Sequence, residues 1–64
     1  MNKVNIVITT LDEFGEETEM LIRPCKDVAE AEQFVLEHEQ DFADDPEIYA
    51  VYIESLNRGF KWKI

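Results

Sequence analysis

His38, Cys25 and Ser55 are the side chains of this sequence best suited to nucleophilic or acid–base chemistry, and none stands in a context that would use it. A reactive hydroxyl or thiol needs a base within hydrogen-bond reach and a third group to orient that base. His38 instead falls between Phe34 and Phe42 on an apolar helical stripe. There a histidine is expected in the core, hydrogen-bonded to a tyrosine hydroxyl or to the backbone. Ser55 has no Gly-x-Ser-x-Gly surroundings, and Cys25, beside Pro24, has no Cys-x-x-Cys partner. One histidine and one cysteine fall short of the ligand set of a zinc centre. Asp44-Asp45-Pro46-Glu47 lacks the spacing of a calcium loop, and Gly15 and Gly59 are isolated in turns rather than gathered in a phosphate-binding loop. The expectation is a non-enzymatic protein without catalytic residues, cofactor or metal.

Charge is the stronger signal. Fifteen carboxylates face six Lys and Arg, for a net charge of −9. Ten of the carboxylates (Asp27, Glu30, Glu32, Glu37, Glu39, Asp41, Asp44, Asp45, Glu47 and Glu54) lie between Asp27 and Asn57, an interval without a single Lys or Arg. Such a chain is repelled by nucleic-acid phosphates and attracted to basic protein surfaces, those of nucleic-acid-binding proteins included. Asp41, Asp44 and Asp45 would crowd a helix C-terminus, where the macrodipole is already negative, at ~0.3–1 kcal/mol each. Stability alone does not select that placement, and broken local rules point to function. The candidate partner-binding residues are therefore Glu30, Glu37, Asp41, Asp44, Asp45 and Glu47. Leu36, an apolar residue off the stripe, and Tyr52 or Tyr49 are candidate anchors, because interface energy concentrates in a few desolvated groups. The plainer reading of the same charges is a solvated face that keeps a small protein in solution.

The elements that would carry these residues follow from periodicity. Val28, Ala31, Phe34, Val35, His38 and Phe42 recur on a 3.6-residue period, with Glu30, Gln33, Glu37, Gln40, Asp41 and Asp44 opposite. One helix is thus expected over about residues 27–42, with Asp27 as N-cap and Glu30 completing a capping box. Val4–Thr10 and Glu17–Arg23 alternate on a period of two around Gly15 and predict a hairpin that ends at Pro24. Ile48–Ser55 and the alternating run from Phe60, joined by Asn57-Arg58-Gly59, predict a second hairpin, with Phe60, Trp62 and Ile64 inward and Lys61 and Lys63 outward. The predicted fold class is α+β: a small β-β-α-β-β two-layer domain, residues 1–64, with a four-stranded antiparallel sheet in order 2-1-3-4 and one helix packed on one face. Trp62, Phe34, Val35, Ile6 and Ile53 are its expected core. The other sheet face, with Val7, Tyr52 or Tyr49, Lys61 and Lys63, is expected to be open.

With 45% hydrophobic residues and seven aromatics (four Phe, two Tyr, one Trp), the chain is expected to fold unaided. A lone cysteine makes no internal disulfide, Met1-Asn2-Lys3 opens no signal-peptide pattern, and no apolar run nears the ~18 residues of a membrane span. The expected compartment is the cytoplasm, with no membrane partner. In size and charge the chain resembles the small acidic inhibitors that phages encode against host nucleic-acid enzymes and CRISPR effectors. That resemblance rests on no motif, and it implies an acidic module or nucleic-acid mimic acting in a host cytoplasm. The alternative is a homodimeric accessory protein that pairs through its open sheet face or its last strand, its acidic face only solubilising.

Overall fold

The computed structural model describes residues 4–64, the side chain of Phe60 excepted. The expectations made of Met1-Asn2-Lys3 and of an inward Phe60 lie outside the described residues. In chain order the elements are β1 (Val4–Leu11), β2 (Glu17–Cys25), α1 (Val28–Glu37), α2 (Glu39–Asp44), β3 (Ala50–Ser55) and β4 (Phe60–Lys63). The strands form one antiparallel sheet in order β2-β1-β3-β4, with the helical layer across one face.

Local chemistry sets each reversal. In the first hairpin the Asp12 carboxylate accepts from the backbone N–H groups of Phe14 (2.8 Å) and Glu16 (2.9 Å), and Gly15 takes φ +81°, a conformation side chains resist. In the second, Gly59 at φ +71° donates its N–H to the Ser55 carbonyl at 2.9 Å. The helical layer opens as a displaced capping box. Asp27 Oδ1 accepts from the Glu30 N–H at 2.8 Å, while Glu30 Oε2 reaches back to the Lys26 N–H at 3.2 Å rather than to that of Asp27.

β1 runs one residue further than expected, to Leu11, and β3 begins at Ala50 rather than Ile48, and two further boundaries differ for identifiable reasons. β2 runs through Pro24 to Cys25, with Asn5 opposite Pro24 and Val4 opposite Cys25. An edge strand tolerates proline because a missing donor need not interrupt a ladder on its free side. The helical stretch, expected as one piece to Phe42, breaks at His38 (φ −110°, ψ 13°) and resumes to Asp44.

The core lies between the layers. Ile6 and Ile53, adjacent on β1 and β3, are fully buried, with Val4, Ile8, Val51 and Cys25 around them and Ala31 and Val35 above. Each fully buried aliphatic side chain of this size contributes ~1.5–3 kcal/mol. Phe34 and Trp62, expected at the centre, are only partly buried and pack against this cluster from opposite flanks. The open face of Phe34 is covered by the Arg23 guanidinium, 4.3 Å from the ring centre.

Candidate binding surfaces

On the helical layer Glu30, Glu37, Asp41 and Asp44 are all exposed, and exposed Asp45 and Glu47 carry the run past its end. Their hydrogen-bond partners are neutral amides or an imidazole. Glu37 accepts from the Gln33 amide at 2.9 Å, Asp44 from the Gln40 amide at 3.1 Å, and Asp45 from the Glu47 N–H at 2.9 Å. Asp41 Oδ2 lies 3.2 Å from His38 Nδ1. Among the described residues no Lys or Arg forms an ion pair with any of these carboxylates. Three cations lie against rings instead: Arg23 on Phe34, Lys61 on Tyr52 at 5.1 Å, and Lys63 on Tyr49 at 5.5 Å.

The break at His38 changes two local expectations. His38 is not a core histidine, for its side chain is 42% exposed. Its ring stacks on Phe34 at 4.3 Å and its polar partner is Asp41, not a tyrosine or the backbone. Asp41, expected at a negative helix end, stands in the first turn of α2, where the backbone dipole favours an anion. Asp44, the last residue of α2, and Asp45, its C-cap, do occupy the unfavourable end.

The two expected anchors separate. Leu36 is 65% exposed on α1 and shares the acidic surface. Tyr52 lies on the opposite face of the sheet, paired with Val7 of β1, so one flat partner surface does not reach both. Its hydroxyl donates to the Glu17 carboxylate at 2.8 Å, and the Thr9 hydroxyl donates to the same oxygen, also at 2.8 Å. The Thr9 bond, then the Tyr52 bond, hold the Glu17 carboxyl below its ordinary range, while the bond to Glu17 pushes the Tyr52 hydroxyl up. Beneath this cluster Val7 is 1% exposed, so this part of the open face is a polar strap over a buried valine. Glu17 was not legible as a partner of Tyr52, because 35 residues separate them in the chain.

A groove also escaped the sequence. Between the helical layer and β4 an apolar cleft of about 530 Å³ is walled by Val35, Leu36 and Phe42 and floored by Val51, Ile53 and Trp62. Glu32, Glu39, Lys63 and Ile64 form its rim. Cys25 is buried, and its thiol is pushed up first by burial and then by the nearby Glu30 charge, which disfavours a reactive thiolate. Among the described residues no three His, Cys, Asp or Glu side chains gather as a metal site, and no helix is long and apolar enough to cross a membrane.

No family model matches this chain, and neither a curated protein nor a solved structure matches it.

Proposed function

We propose that this protein is a non-enzymatic acidic binding module that inhibits or regulates a partner by covering a basic, nucleic-acid-binding surface on it. The observation that carries this reading is the helical layer itself, whose carboxylates are partnered by amides or an imidazole and, among the described residues, by no Lys or Arg, while Arg23, Lys61 and Lys63 lie against aromatic rings. A surface of this kind holds its charge available to an incoming cation, steering association and fixing orientation. Asp44 and Asp45 at the unfavourable end of α2 are tolerated at a local cost that binding would offset.

A homodimer through the open sheet face is the second reading, supported by Leu11 and Ile22, 45% and 48% exposed on that face. Its weakness is the polar Glu17–Thr9–Tyr52 cluster beside them. Edge-to-edge pairing meets further obstacles. β2 carries Pro24 and an unpaired Met20 between Leu21 and Glu19, and β4 is four residues long with two lysines.

Nucleic-acid competition tests the leading reading. The immobilised chain is expected to retain proteins from a nuclease-treated lysate that double-stranded DNA then displaces. Retention indifferent to DNA would mean that the covered surface is not a nucleic-acid site.

A further inference from the structure

The apolar cleft beside α1 gives the acidic surface a shape as well as a charge. Leu36, 65% exposed on one lip, and Ile64, 56% exposed on the other, flank a half-buried Trp62. Together they make a continuous apolar recess of about 530 Å³, inside the ~300–1,000 Å³ of ordinary ligand sites. Glu32, one turn before Leu36 on α1, and Glu39, the first residue of α2, both stand on the cleft's rim with Leu36, so the apolar lip is set between two carboxylates. The one cation of the rim, Lys63, lays its ammonium against Tyr49.

We infer that this groove receives a basic amphipathic segment of the partner, whose apolar side chains enter beside Leu36 and Trp62 while its Lys or Arg residues meet Glu32 and Glu39. Charge selects this occupant. A second copy of the chain would bring its own Glu32 and Glu39 and a net −9 to the same lip. Helix-in-groove recognition uses this combination of apolar anchors and flanking charge. The inference rests on the acidic-face reading and adds to it an anchor and a partner chemistry.

Trp62 is the single tryptophan of the chain and reports occupancy of the groove by its fluorescence. The full chain is titrated with a tryptophan-free synthetic peptide of about 18 Leu and Lys residues, its leucines spaced i, i+3, i+4, i+7, and with a scrambled peptide of the same composition. The amphipathic peptide is expected to shift Trp62 emission and to bind roughly tenfold or more tightly than the scrambled one. Leu36→Asp is expected to erase that difference while leaving the scrambled peptide at least as tightly bound. The substitution adds negative charge, so weaker binding of a cationic peptide then reports a lost apolar contact. Circular dichroism checks that the variant folds.

Equal, salt-sensitive binding of both peptides with unchanged Trp62 emission overturns the groove and leaves the acidic face standing. Binding by neither overturns both. Trp62 emission that changes with protein concentration, alongside dimerisation and no peptide binding, makes a second copy the occupant and also overturns the proposal.

Discussion

The Tyr52 hydroxyl donates to the Glu17 carboxylate at 2.8 Å, reaching across β1 to tie β3 to the edge strand β2. With Thr9 as second donor, the pair stabilises the ionised form of Glu17 in the folded chain only. A carboxyl depressed on folding contributes stability that is present above its unfolded pKa, near 4.5, and lost as pH falls through the folded value. Glu17→Gln is therefore expected to flatten the acid limb of the melting-temperature profile below about pH 4.5 relative to the wild type. Tyr52→Phe should move the Glu17 carboxyl back up toward 4.5 in a carbon-detected NMR titration. An unchanged Glu17 titration in Tyr52→Phe would mean that the bond does not persist in solution.

Core substitutions should rank by position rather than by size. Ile53, fully buried at the centre, is expected to cost ~2–5 kcal/mol on replacement by Ala. Phe34, partly buried at the border under Arg23, is expected to cost about half of the ~3–5 kcal/mol typical of a buried Phe. Urea unfolding of the two variants checks the order, and a Phe34→Ala cost exceeding that of Ile53→Ala would place the core elsewhere.

Charge reversals on the helical layer should differ in sign. Asp44→Lys places a cation at the end of α2 and is expected to raise stability by ~0.3–1 kcal/mol. Asp41→Lys, in the first turn of α2 and beside His38, is expected to lower it by a similar ~0.3–1 kcal/mol. Thermal melts at low salt measure both. The same sign for the two would mean that α1 and α2 act electrically as one helix.

The hairpins and the exposed acidic residues were legible because each rests on a local signal: alternation, Gly15 and Gly59 at left-handed turns, Asp27 at the helix start. The strand order followed from the simplest antiparallel arrangement of two hairpins, with the first and third strands central. The break at His38 was not. A one-residue interruption without Gly or Pro leaves the apolar period nearly intact, so Phe42 still falls on the stripe. Pro24 inside β2 was missed because its tolerance depends on an edge position that pairing alone reveals. Tyr52 was already expected on the sheet face away from the helix, and grouping it with the acidic residues took no account of the sheet that stands between them. The groove was hidden because Leu36 and Trp62 meet only through the tertiary fold.

The acidic face is tested most directly by the affinity of a captured partner for the wild type and for the Glu37→Lys, Asp41→Lys, Asp44→Lys triple variant. Both are titrated calorimetrically between about 0.05 and 0.5 M salt, where the Debye length falls from ~14 to ~4 Å. Wild-type affinity is expected to weaken steadily with salt, and the folded triple variant is expected to lose at least about tenfold at the low-salt end. An affinity that moves with neither salt nor the triple reversal would contradict the acidic-face reading and turn attention to the sheet face that holds Tyr52 and Glu17.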